Sequence, residues 1–141
     1  MIATKHDGTS FNLLENKNPF ILYFYPKNDT PVCTIQANDF TALKPQFEAL
    51  GFDVFGVSKD NLKSHCKFID KYNLTITLIS DETLEICNYF GVWVQKSMMG
   101  KKYMGVERST FVIKNGQIVK EWRDINAKGH ANEVLIFCKT A

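Results

Sequence analysis

Cys33 ends the string Tyr25-Pro26-Lys27-Asn28-Asp29-Thr30-Pro31-Val32-Cys33, which follows an apolar run and leads into a stretch with helical spacing. Threonine is favoured at the position that opens a helix, and proline suits the first helical position because its missing N–H would be unpaired there. With Pro31 first in the helix, Cys33 falls third, inside the first turn. Backbone N–H groups without intrahelical partners and the positive end of the helix dipole favour a thiolate over a thiol at that place. The pattern points to a nucleophilic sulfur.

A helix end alone is too weak for this. Bringing a thiol from a pKa of about 8.5 to about 6 takes roughly 3.4 kcal/mol, whereas a helix terminus supplies about 0.3–1 and at most about 2. A second positive group must stand near the sulfur. Full ionisation also raises the reactive fraction only about thirty-fold at neutral pH, so a fast reaction further requires fixed donors for the charge that grows in the transition state. Thr30 and an arginine brought in from elsewhere in the chain are the candidates.

The elements that must position these groups read as follows. Residues 20–25, 53–58, 75–80 and 110–113 are short, rich in β-branched and aromatic types, and end in turn formers, as strands do. Lys114-Asn115-Gly116 is a hairpin signal that joins 110–113 to an antiparallel neighbour at 117–122. Helical spacing covers 31–50, 61–72, 81–90 and 131–139, with Pro45 expected to kink or split the first of these. Strands and helices in this order predict an α/β chain with a mixed central sheet flanked by helices on both faces, a thioredoxin-like fold.

The chain has 141 residues, enough for one domain spanning 1–141 and too few for two independently cored ones. At 45% hydrophobic residues it can bury roughly two-thirds of its unfolded surface without a disulfide or metal staple, which leaves its four cysteines free. The net charge of +2 comes from 17 basic and 15 acidic residues spread along the sequence, so no nucleic acid or membrane partner is expected. The N-terminal residues lack an apolar core of signal-peptide length, and the longest apolar run, 20–25, is too short to span a bilayer. A cytoplasmic protein is expected, in which cysteines remain thiols. No spaced pair of ligands suggests a metal, since His65-Cys66 is an isolated adjacent pair, and no cofactor is expected.

Pro26, Thr30 and Cys33 match the peroxiredoxin signature P-x-x-x-T-x-x-C, and the wider sequence resembles the bacterioferritin comigratory protein, or Q-type, branch. Ser64-His65 with Phe68, Ser80-Asp81, Gly91-Val92-Trp93, Gly100-Lys101, Tyr103-Met104-Gly105, Arg108-Ser109-Thr110-Phe111-Val112 and Gly129-His130 with Glu133-Val134-Leu135 recur in family order, so the resemblance covers nearly the whole chain. It implies a thiol peroxidase that reduces hydrogen peroxide and organic hydroperoxides through a sulfenic acid at Cys33, re-reduced by thioredoxin or a similar dithiol. By the same resemblance Thr30 orients the peroxide, Pro26 shields the pocket, Arg108 supplies the second positive charge, and the protein is a monomer. Three positions depart from the pattern. Val32 replaces a glycine, Gln36 stands where glutamate is frequent, and the chain lacks the strand and A-P-D-F-like segment that commonly precede Asp7-Gly8.

Many members of the branch carry a resolving cysteine five residues after the peroxidatic one, where this chain has Asn38. Others place it on the next helix, which makes Cys66 the preferred candidate, with Cys87 the runner-up, Cys138 the third, and a one-cysteine cycle using an external thiol the alternative. Cys66 shares a helical face with Leu62 and Ile69, Cys87 lies near Leu84 and Phe90, and Cys138 near Val134 and Leu135, spacings that also suit plain core residues. His65 and His130 read as structural hydrogen-bonding residues or caps, and Arg108 has Glu107 as a possible ion-pair partner. Lys96, Lys101 and Lys102 with Met98 and Met99 read as a basic, Met-rich loop.

Overall fold

The structure, a computed structural model, describes residues 1–140. Its centre is a strand with no exposed side, Phe20–Phe24, all five of whose residues are buried. Phe20, Leu22 and Phe24 enter one apolar cluster while Ile21 and Tyr23 enter another, so period-two alternation feeds a core on each face of the sheet.

In chain order the strands are β1 (Ile2–Lys5), β2 (Ser10–Asn12), β3 (Phe20–Phe24), β4 (Asp53–Ser58), β5 (Thr77–Ser80), β6 (Trp93–Met98), β7 (Lys101–Val106), β8 (Ser109–Lys114) and β9 (Gln117–Trp122). The helices are α1 (Pro31–Ala49), α2 (Leu62–Tyr72), α3 (Glu85–Tyr89) and α4 (His130–Thr140). Seven strands form one sheet in the order β2-β1-β5-β4-β3-β8-β9. β3, β4 and β5 run parallel, joined by the crossovers α1 and α2, and β8 lies antiparallel to β3. Buried residues of α1, α2 and α4 pack on one face, and those of α3 on the other.

The register of β3 against β8 decides where the site lies. Phe24 is paired with Ser109, so the last ladder residue of β3 and the first of β8 share one end of the sheet. At that end β3 passes into the loop before α1, and the residue just outside β8 is Arg108.

Several expectations from the sequence are corrected. Pro45 neither splits nor ends α1, which runs unbroken to Ala49. Pro45 lies on the exposed side, so the carbonyl one turn back, at half-exposed Thr41, can turn to water when it loses its donor. The third helix shrinks from 81–90 to Glu85–Tyr89 because the Asp81 carboxylate accepts the Ile86 and Cys87 N–H groups at 3.1 and 2.8 Å, with Leu84 in the left-handed region at φ 65°. The strand expected from residue 75 begins at Thr77. The Met-rich loop is the antiparallel ribbon β6–β7, and the residues just before Asp7-Gly8 form β1. At the β8–β9 turn Asn115 and Gly116 adopt φ 53° and 75°, the mirror-image turn that an Asn-Gly pair favours.

Gly56 is fixed by packing. In the parallel β3–β4 register it faces Tyr23, whose ring also stacks on Phe40 at 4.6 Å, and a Cβ at residue 56 would stand 2.7 Å from Tyr23 Cζ. Gly56→Ala must therefore push Tyr23 off Phe40, at an expected cost of about 1–3 kcal/mol. Thermal unfolding should show a lower Tm, and a double-mutant cycle with Tyr23→Ala should remove most of the loss. An additive pair would place the cost elsewhere.

Candidate active site

Cys33 is buried, at 2% exposure, in the cluster that holds Tyr23, Tyr25, Ala37 and Phe40. Its sulfur is not sealed into hydrocarbon, because Arg108 Nη2 donates to Sγ across 3.2 Å. Nη1 of the same guanidinium donates to Gln36 Oε1 at 2.7 Å. Cys33 and Gln36 lie one turn apart on α1, so a single planar cation bridges two groups on one helix face. The Arg108 carbonyl accepts from Ile125 N at 2.9 Å, and the β8 ladder begins at the next residue, which holds the base of the side chain in place.

The charge balance around this contact is unusual. Among the described residues Arg108 forms no ion pair with a carboxylate. Adjacent Glu107 is engaged elsewhere, by Arg123 Nε at 2.6 Å and Ser109 Oγ at 2.6 Å, so the ordinary surface pairing of Arg108 with Glu107 does not occur. A partly buried guanidinium without an anion is unfavourable. Cys33 is the contacting side chain whose ionised form is an anion, and the guanidinium N–H facing its Sγ is a charge-assisted donor.

The first turn adds donors. Pro31 occupies the first helical position as the sequence predicts, and Thr30 occupies the N-cap with extended backbone, but its side chain does not cap. The Thr30 hydroxyl instead donates to the Lys27 carbonyl at 2.9 Å. The capping role expected from the sequence is thus corrected, because the loop turns tightly enough to bring that carbonyl within reach. Pro26, half-buried, stands in the bend after β3.

The other thiols separate by environment. Cys87 is buried on α3 and burial pushes its thiol well up from the usual range. Cys138 is buried on α4 and burial pushes it up to about 11. Cys66 departs from its core-like spacing. It is exposed on α2, and its thiol donates to the His6 carbonyl at 3.2 Å. His130 is structural in its contacts, with Nε2 2.8 Å from Thr110 Oγ1 and Nδ1 3.0 Å from Glu133. Among the described residues no group of three or more His, Cys, Asp or Glu side chains gathers to hold a metal.

Sequence reasoning overlooked a buried polar chain behind the site. The Tyr25 hydroxyl donates to Asn28 Oδ1 at 2.5 Å, and Asn28 Nδ2 lies 3.0 Å from both Ser64 Oγ and His65 Nδ1. Asn28 lies in a polar, turn-like stretch before the helix, and nothing in its type or spacing tells it, buried by the fold, from an ordinary turn residue.

A model of the AhpC/TSA family matches residues 1–122. Among curated relatives, a peroxiredoxin Bcp from Xanthomonas campestris pv. campestris is 43% identical over 120 residues, covering 84% of this chain and 75% of its own length. Peroxiredoxin Bcp from Bacillus subtilis is 43% identical over 130 residues, 91% of this chain and 83% of its own. Among solved structures, a peroxiredoxin Q from Xanthomonas campestris superposes with TM-score 0.94 at 39% identity, over 99% of this chain and 90% of its own, and the fold is accordingly thioredoxin-like. A bacterioferritin comigratory protein structure from the same organism gives TM-score 0.94 at 38% identity with the same coverage. Since both the family model and relatives of this closeness span most of the residues that build the sheet and bring Arg108 to Cys33, the chain belongs to the AhpC/TSA family and, within it, to the Bcp or Q-type peroxiredoxins, which are thiol peroxidases.

Proposed function

We propose that Cys33 is the peroxidatic sulfur of a reductase for hydrogen peroxide and organic hydroperoxides, and that Arg108, Thr30 and Pro26 form its immediate surroundings. The observation that carries this is the 3.2 Å contact between Cys33 Sγ and an arginine that has no carboxylate to satisfy it. The Xanthomonas campestris bacterioferritin comigratory protein is described for its alkyl peroxide reduction activity, which supports the substrate class.

In the reaction the Cys33 thiolate attacks one oxygen of R–O–O–H. An S–O bond forms, the O–O bond breaks with its electron pair leaving on the other oxygen, and that oxygen takes a proton to become alcohol or water. The sulfur is oxidised to the sulfenic acid and the peroxide is reduced. Arg108 faces the sulfur and lies where it can also stabilise charge growing on the departing oxygen. The proton of the Thr30 hydroxyl is committed to Lys27, so its oxygen lone pairs are left to accept a hydrogen bond from the peroxide O–H. Pro26, without an N–H and with fixed φ, contributes shape to the wall of the site.

The sulfenic acid must next meet a thiol, or a second peroxide will carry it to sulfinic acid. Cys66 is the preferred resolving residue because it is exposed and carries a free thiol, whereas Cys87 and Cys138 are buried. Its attack forms an S–S bond and releases the sulfenic oxygen as water, and a dithiol donor of the thioredoxin type then reduces the disulfide. Cys66 is not in contact with Cys33, being tied instead to His6, so closure requires the first turn of α1 to unwind until the Cα atoms stand within about 7 Å. That separation also favours a second reading, in which an external thiol resolves Cys33 directly. The setting proposed is a cytoplasmic monomer; among the described residues no helix is long and apolar enough to cross a membrane.

Three measurements test this reading. Cys33→Ser should abolish peroxide consumption, and Arg108→Ala should lower kcat/KM for peroxide by about 10²–10³ with the fold intact by circular dichroism; near wild-type activity in either would remove the proposed chemistry. Brief treatment of the folded protein with a maleimide at neutral pH should label exposed Cys66 and spare Cys87 and Cys138, as read by peptide mass spectrometry, because burial keeps the latter two protonated and inaccessible. One equivalent of peroxide should yield a Cys33–Cys66 disulfide, and Cys66→Ser should lose most turnover with thioredoxin. Full turnover in that variant would assign resolution to an external thiol.

A further inference from the structure

The loop that delivers Cys33 to the head of α1 carries one residue whose backbone N–H and side-chain amide are all engaged. Asn28 is 7% exposed. Its backbone N–H donates to Asp60 Oδ2 at 3.0 Å, ahead of α2. Its side-chain Nδ2 donates to Ser64 Oγ and to His65 Nδ1, both at 3.0 Å and both in the first turns of α2. Its Oδ1 accepts from the Tyr25 hydroxyl, just past β3. One side chain therefore ties the end of β3, the start of α2 and the loop before Cys33 into one unit.

The neighbouring contacts support the same arrangement. Asp29 follows with φ 57°, in the left-handed region that costs a non-glycine residue energy. It is held there by Lys71 Nζ at 2.7 Å and the Tyr72 hydroxyl at 2.6 Å, again from α2. Burial pushes the His65 imidazole down to about 4. Neutral at working pH, it can accept at Nδ1 from an amide that has only protons to offer there. Tyr25 is 1% exposed and His65 fully buried, so loss of the asparagine amide would leave both polar groups without that partner in a dry place.

We propose that Asn28 is a positioning residue of the peroxidase site: by latching the 25–30 loop to α2 it holds the first turn of α1 wound, with the Cys33 sulfur against Arg108, and its release is the step that frees that turn to unwind. This rests on Cys33 being the nucleophile but not on which thiol resolves it. A wound turn is the form that attacks peroxide, and an unwound one is the form that can offer its sulfenic sulfur to another thiol. The latch thereby sets the balance between the two halves of the cycle.

Asn28→Ala removes the three side-chain bonds and leaves the backbone bond to Asp60. Hydrogen exchange on the reduced, full-length protein should show the amides of residues 31–36 opening about tenfold more readily than in wild type, while the β3–β4 ladder stays protected. The single-turnover rate of Cys33 oxidation by peroxide should fall several-fold, and the ratio of disulfide to sulfinic acid at fixed peroxide should rise. Ile113→Val, a truncation in the opposite core, is the control for lost stability and should move neither quantity. If Asn28→Ala fails to fold, Ser64→Ala removes a single acceptor and should give the same changes at about threefold. Unchanged exchange at 31–36, or a pattern equal to that of Ile113→Val, would overturn the proposal. Faster exchange in the variant with no Cys33–Cys66 disulfide even in wild type would leave the latch standing and remove Cys66 as the resolving residue, and peroxide turnover surviving Cys33→Ser would remove the peroxidase assignment itself.

Discussion

A cation held against a sulfur, with no carboxylate to neutralise it, is the contact on which the rest of this structure depends. Its strength comes from what surrounds Arg108 as much as from the 3.2 Å to Cys33. The nearest acid in sequence, Glu107, is taken by Arg123 and Ser109, and the other partner of the guanidinium is the neutral amide of Gln36. A carboxylate in either place would share the positive charge and weaken its hold on a thiolate. The fold brings the pair together through register alone. Because Phe24 pairs with Ser109 in an antiparallel ladder, the residue before β8 must lie where β3 releases the chain toward the helix that carries Cys33. A slip of one residue would send Arg108 to the opposite face of the sheet.

The surroundings of the site show what it costs to hold such a contact. Among the described residues the buried Tyr23 Oη, Gln36 Nε2 and His65 Nε2 have no hydrogen-bond partner, and all belong to residues beside Cys33 or in the chain of contacts around its loop. Asp29, in the left-handed region, lies in the same loop. Uncompensated groups and strained backbone gather where a geometry is imposed by the surrounding packing. Here that packing is aromatic. Tyr23 stacks on Phe40, Phe40 meets Phe47 at 6.0 Å, and Tyr25 meets Phe68 at 6.5 Å, so a stiff floor lies under the turn that bears the sulfur. Rigidity below and polar contacts at the side suit the proposed cycle, in which this turn is firm during attack and open afterwards.

Much of this arrangement could be read from the sequence because local chemistry determined it. The apolar run at β3, the Thr30-Pro31 start of α1, and the Asn115-Gly116 turn each have few alternatives, and the structure places them within a residue or so of the expected bounds. The failures have a common cause. The extent of α3 is set by the Asp81 carboxylate reaching forward to two N–H groups, and the course of α1 through Pro45 depends on that residue facing water, neither of which periodicity records. The ribbon β6–β7 was hidden because its mostly exposed strands carry lysines and methionines without a clean alternation. At the site, Cys33 was legible by type and position and Arg108 through the family resemblance, while Asn28 was not. Its importance lies in burial and in partners up to 37 residues away, which a single sequence does not display.

The four cysteines, none of them in a disulfide, sit in different surroundings. Cys87 and Cys138 sit in the two cores, where desolvation disfavours the charged form and no cation is close enough to reverse it. Cys33 is as well buried as Cys138, at 2% exposure each, yet its sulfur faces a guanidinium and a helix N-terminus in place of hydrocarbon. Burial therefore does not decide reactivity; the charge that accompanies it does. Low-dielectric surroundings disfavour charge at Cys87 and Cys138, and the same kind of surroundings strengthens the contact of Arg108 with the Cys33 sulfur. Cys66 completes the set as the exposed thiol, on α2 with its Sγ turned to the His6 carbonyl.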